Sequence, residues 1–264
     1  MAIDSSKFLQ LPPKGTDAPA VLFRNSYQTG VFSIFYAIGR HPLYLWRAQV
    51  RNGHIRRLTD EHIGSAALEV AGNNVSTCQV TCPEQDRQTL GVKLPFLVLL
   101  VKNLNKYFAF EVEVLDDQGQ KRRFKASNFH SGTKVGPFNC SMPLQLEPGW
   151  NQVMFNLADF TKRAFNSNYV ETTRMTIHAN CRLRRIFFMD RLYDVEELPP
   201  DYRLAAPTRA EPRGVARGFA APQRGPAAPM EEETAEATPV APLTPASTAP
   251  TESDLPRQLV KKVS

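Results

Sequence analysis

Tyr107-Phe-Ala-Phe-Glu-Val-Glu-Val-Leu115, Asp116-Asp-Gln-Gly-Gln120 and Lys121-Arg-Arg-Phe-Lys-Ala126 together decide the fold class. Phe108, Phe110, Val112 and Val114 recur at every second position, with Glu111 and Glu113 between them. That period puts the four apolar residues on one face and the two carboxylates on the other, the pattern of a half-buried antiparallel strand. Asp116 to Gly119 is turn chemistry, with Gly119 free to adopt a positive φ. Lys121, Arg123 and Lys125 then alternate with Arg122, Phe124 and Ala126, so the stretch reads as a hairpin.

The same period extends outward from this hairpin. Trp150 to Leu157 and Met175 to Ala179 alternate. Leu94–Val101 and Ile186–Met189 are continuous apolar runs, which suits strands buried on both faces, with Pro95 marking an edge or bend. Helical signals are few: Asp159 is placed to cap a short helix through Thr161–Phe165, and Thr59-Asp60-Glu61-His62 to start one turn. Many short strands separated by turns predict an all-β fold, an antiparallel β-sandwich or jelly roll.

Composition divides the chain of 264 residues into a polar leader (1–20), a core (21–205) and a tail (206–264). The tail holds 10 of the 21 prolines and one aromatic, Phe219, so it is expected to be disordered. Its last residues, Arg257-Gln-Leu-Val-Lys-Lys-Val-Ser264, read as a solvated end or a short docking peptide. No apolar run approaches the roughly 20 residues of a membrane span, so no membrane association is expected. The N-terminus lacks the basic start and apolar stretch of a secretory signal, which predicts a cytosolic protein with Cys78, Cys82, Cys140 and Cys181 as free thiols.

The formal net charge is +6, and the core carries all of it, because the tail's seven basic and seven acidic residues cancel. A basic folded surface implies an acidic partner. Three clusters are the candidate contacts: Arg51, His54, Arg56 and Arg57; Lys121, Arg122, Arg123 and Lys125; and Arg182, Arg184 and Arg185. On a strand Arg182 and Arg184 would share a face, whereas Arg122 and Arg123 point apart.

Signs of chemistry are sparse. There is no Gly-x-Ser-x-Gly elbow and no P-loop. Cys78-x-x-x-Cys82 is half of a zinc site with no second half. Asp190, Asp194, Glu196 and Glu197 lack the spacing of a calcium loop and read as a solvated acidic segment. No catalytic residue, metal or cofactor is expected. Trp46 and Trp150 read as core anchors, with sugar-stacking platforms as the alternative.

Longer stretches carry a resemblance. Phe23-Arg-Asn-Ser-Tyr-Gln-Thr-Gly30, Arg51-Asn-Gly-His-Ile-Arg-Arg57, Asn74-Val-Ser-Thr77, Lys93-Leu-Pro-Phe-Leu97, Trp150-Asn-Gln152, Ile177-His-Ala-Asn-Cys-Arg182, Asp190-Arg-Leu-Tyr193 and Glu197-Leu-Pro199 resemble the cilia- and flagella-associated protein 20 (Bug22) family across the core. The resemblance implies a β-sandwich similar to carbohydrate-binding modules, without enzymatic activity. It implies a structural microtubule inner protein of the ciliary or flagellar axoneme, supporting motility. Such a protein contacts tubulin at the inner junction of doublet microtubules, beside the parkin co-regulated protein and other axonemal proteins. Family members also occur at the basal body and have been linked to the nucleus. Two competing readings remain: a nuclear module binding nucleic acid through the same basic faces, disfavoured because no RNP or helix-turn-helix motif is present, and a glycan-binding module using Trp46 or Trp150.

Overall fold

The computed structural model describes residues 20–204 and the backbone of residues 259–262. The strands are β1 (Val31–Tyr36), β2 (Arg47–Val50), β3 (Gly53–Asp60), β4 (Ser65–Gly72), β5 (Cys78–Cys82), β6 (Phe96–Asn103), β7 (Ala109–Asp116), β8 (Lys121–Ser127), β9 (Lys134–Val135), β10 (Asn139–Pro143), β11 (Gly149–Asn156), β12 (Tyr169–His178), β13 (Cys181–Met189) and β14 (Leu259–Lys262), with one α-helix, α1 (Leu157–Phe165), between β11 and β12. They form two sheets. The first runs β14-β11-β6-β13-β4-β3, with β1 also on β13; the second runs β2-β5-β12-β7-β8-β10-β9. The predicted all-β sandwich is the observed fold; among the named strands β10 lies parallel to β8.

Period-two residues place the core between the sheets. Phe110, Val112 and Val114 of β7 are buried, as are Val153 and Phe155 of β11 in the opposite sheet. Phe110 and Phe155 meet edge to face with ring centroids 5.1 Å apart. Each such phenylalanine contributes about 1.5–3 kcal/mol by leaving water. The hairpin forms in the register that its turn implies, with Glu113 opposite Arg123 and Glu111 opposite Lys125.

The two apolar runs are strands buried on both faces. Leu97, Leu99 and Val101 of β6 face the main core. Val98 and Leu100 face outward with Phe187 and Met189 of β13, and join a second cluster with Leu198, Tyr193, Tyr202 and Leu204. The segment after β13 therefore covers the outer apolar half of the first sheet.

Two sequence expectations need correction. Thr59 to His62 starts no helix: Asp60 closes β3 and a turn follows. The helix is capped by Asn156, whose Oδ1 accepts from the Asp159 N–H at 3.1 Å; Asp159 instead pairs with Arg163 at 2.9 Å. An Asn at that position satisfies the same first-turn donor that an Asp one turn later cannot reach. The tail expected to be disordered lies outside the described residues except for Leu259–Lys262, which pair with β11 as a strand.

Candidate functional site

The first charged surface is a row across the outer face of the first sheet. Register places Arg56 opposite Glu69, Glu69 opposite Arg182, Arg182 opposite Lys102 and Lys102 opposite Trp150. Directly opposed side chains stand close enough to pair. Glu69 receives His54 Nε2 at 2.9 Å, Arg56 Nη2 at 2.8 Å and Arg182 Nε at 2.6 Å. Asp60, fully buried at the end of β3, receives Lys102 Nζ at 2.8 Å, Arg182 Nη1 at 2.7 Å and Trp150 Nε1 at 3.0 Å. Burial opposes the charge of Glu69, but the hydrogen bonds from His54, Arg182 and Arg56 outweigh it and hold the carboxyl at about 2. Burial likewise opposes the charge of Asp60, and its bonds to Lys102, Trp150 and Arg182 hold it well below the usual range.

The second charged surface is the outer face of the second sheet. Lys121 and Lys125 of β8 pair with Glu113 and Glu111 of β7, each at 3.1 Å, and Arg123 lies 3.7 Å from Glu113. His178 of β12 lies 3.2 Å from Glu111. That contact, more than Lys125, outweighs burial and holds Glu111 at about 2. The face continues through Arg174, whose guanidinium donates to the carbonyls of Pro83, Gln85, Asp86 and Gln88 at 3.0–3.1 Å and so ties down the loop after β5.

The sequence candidates therefore separate. Among the described residues Arg51, just past β2, makes no ion pair, and Arg57 donates to the Ile38 and Gly39 carbonyls at 3.2 Å; both are exposed. His54, Arg56, Lys121, Arg123 and Lys125 reach solvent but face carboxylates. Arg182 is committed to the row. Arg122 and Arg185 are buried and are not surface contacts. Arg122 donates to Asp116 at 2.7 Å and to Pro137 O at 2.6 Å, over the Phe165 ring. Arg185 is sandwiched between Tyr36 and Tyr202, 3.6 and 4.1 Å from their ring centroids.

Arg182 and Arg184 share the outer face, as expected: Arg184 donates to Ser65, which stands opposite Asp60, and lies over Tyr36. The register shifts between Leu183 and Arg185, and the bulge at Arg184 brings Arg185 onto the same outward face. Asp60, Glu69, Lys102 and Arg174 were missed as partners. The hairpin register, legible in the sequence, gives Glu111 and Glu113 as the counter-charges of β8; no local pattern gives the others, which depend on strand order.

Trp46 and Trp150 are each 4% exposed, with their indole N–H groups donating to Ile34 O and Asp60 at 3.0 Å. Neither ring is open to a sugar, which removes the glycan reading built on them. The four cysteines are buried thiols, and burial pushes Cys140 up to about 11.

These elements define a two-sheet β-sandwich that presents charged rows on both outer faces. The chain matches the CFA20 domain over residues 22–206 and belongs to that family. It is 56% identical over 190 residues to a Paramecium tetraurelia protein named Cilia- and flagella-associated protein 20, covering 72% of this chain and 100% of that one. Proteins of the same name in Chlamydomonas reinhardtii (58% over 186 residues, 70% of this chain and 98% of that one) and Caenorhabditis elegans (54% over 190 residues, 72% and 94%) are also similar to it. Among solved structures, a family 11 carbohydrate-binding module from Clostridium thermocellum covers 64% of this chain and 100% of its own, with a TM-score of 0.33 and 8% identity, too distant to carry an argument.

Proposed function

We propose that the chain is a non-catalytic structural component of the axoneme of cilia or flagella, which binds tubulin at the inner junction of doublet microtubules and supports motility. The observation that carries the reading is membership in the CFA20 domain family, at 54–58% identity to proteins named for cilia and flagella. The surface supports it. Glutamates offset the β8 cluster, but Arg51 just past β2 and Arg57 within β3 meet no carboxylate among the described residues. Tubulin is acidic, so such an edge gains from steering and from charge complementarity. Copies repeated along a filament bind by avidity, so each contact can be modest. A parkin co-regulated protein-like neighbour completes the junction in this reading.

The test is the location of the endogenously tagged protein in ciliated cells. Signal along the whole axoneme that survives detergent supports the proposal. Signal confined to nuclei and released by nuclease overturns it in favour of nucleic-acid binding through the same edge.

A further inference from the structure

Several edges of the two sheets are protected by charge or brevity. Bare strand edges offer unpaired N–H and C=O groups to any extended peptide, and proteins blunt them with charge, proline or brevity. At the far edge of the first sheet, β3 carries His54, Arg56, Arg57 and Asp60. In the second sheet, β2 has four residues including Arg47, and β9 has two. Strand β11 differs: its eight residues, Gly-Trp-Asn-Gln-Val-Met-Phe-Asn, include no charge and no proline. It pairs with β6 along its whole length. The Leu157 N–H bonds Pro95 O on the β6 side, so alternation points the backbone groups of Met154 and Gln152 the other way.

Within the described residues, only β14 covers that side, with Met154 opposite Leu259 and Gln152 opposite Lys261. Strand β11 lies inside the matched family domain at 22–206, whereas β14 lies outside it. The acceptor edge is thus part of the family domain, and its cover lies beyond the match. We propose that the outer edge of β11 is a β-strand docking site, and that the chain's own segment Leu259–Lys262 is its built-in occupant. Main-chain hydrogen bonds supply the affinity in this mode, so an incoming partner segment must be extended and must displace β14. Because β14 belongs to the same chain, its return to β11 is intramolecular and is favoured over a separate peptide.

The test uses the full chain and Lys261→Pro, which removes the strand N–H facing Gln152 and disfavours pairing. Hydrogen exchange is followed at Gln152 and Met154, with β6 amides as the fold control, and a synthetic peptide of residues 257–264 is titrated into both proteins. The expected result is faster exchange at Gln152 and Met154 in Lys261→Pro alone, with β6 unchanged. The peptide restores protection in the variant and binds it at least about tenfold more tightly than the wild type. Equal exchange in the two proteins, or equal peptide affinity, overturns the proposal. Concentration-dependent dimers that Lys261→Pro abolishes overturn the built-in arrangement and assign the occupant to a second copy.

Discussion

Glu69 and Arg182 face each other across the β4–β13 pair, with Arg182 Nε 2.6 Å from Glu69 Oε2. Their contact joins the exposed His54 and Arg56 on one side to the buried Asp60 and Lys102 on the other, so charge at the β3 edge is coupled to the interior of the first sheet. Removing the glutamate charge leaves Arg56 and Arg182 facing each other across one strand. Glu69→Gln is expected to lower stability by about 3 kcal/mol, because breaking a buried pair strands its partners. Urea unfolding at neutral pH measures it.

The same carboxylates set an acid limit. Glu69 and Glu111 are held at about 2 in the fold, below their ordinary 4.5. A depressed carboxyl adds stability that is fully present above the ordinary value and is lost as pH falls through the folded one. Unfolding free energy should therefore drop between about pH 4.5 and 2, and Glu69→Gln should flatten that slope while lowering the plateau. Denaturant titrations at stepped pH distinguish this from a uniform loss.

Neighbouring arginines on β8 should behave in opposite ways. Arg122 neutralises the fully buried Asp116 carboxylate, whereas Arg123 sits 58% exposed at 3.7–3.9 Å from its glutamates. Arg122→Leu is expected to cost about 3 kcal/mol. Arg123→Ala should change stability by less than about 1 kcal/mol. Paired thermal melts check the contrast.

The aromatic contact between the sheets supplies the test of packing. Phe155 touches Phe110 and Phe160, with ring centroids 5.1 and 5.4 Å away, and is 2% exposed. Phe155→Ala should cost about 3–5 kcal/mol and shift the melt without changing surface charge.

Much of this was legible in the chain because period-two alternation is local. Phe108 to Val114 declares one buried face, and the turn at Asp116–Gly119 fixes the register that pairs Glu111 with Lys125. The doubly buried β6 and the core role of both tryptophans were equally readable. What stayed hidden depends on strand order and irregularity. Glu69 meets Arg182 at a separation of 113 residues, which no window reveals. The bulge at Arg184 reverses the facing of Arg185, and a one-residue shift moves every later side chain to the other face. Counting basic residues identified clusters but not their counter-charges, so Arg122 and Arg185 looked like surface contacts when they are interior. The pairing of Leu259–Lys262 with β11 ran against a tail composition that predicts disorder.

The proposal to test is that Arg51 and Arg57 hold this protein on doublet microtubules. The most direct measurement is the salt concentration that releases it from detergent-extracted axonemes, for wild type and for the Arg51→Glu/Arg57→Glu variant. Both substitutions lie on exposed side chains that make no ion pair among the described residues, so the variant should fold with a melting point near wild type. The account predicts that the variant reaches the axoneme but leaves it at markedly lower salt. Release of both proteins at the same salt, or a wild-type protein absent from axonemes, would contradict it.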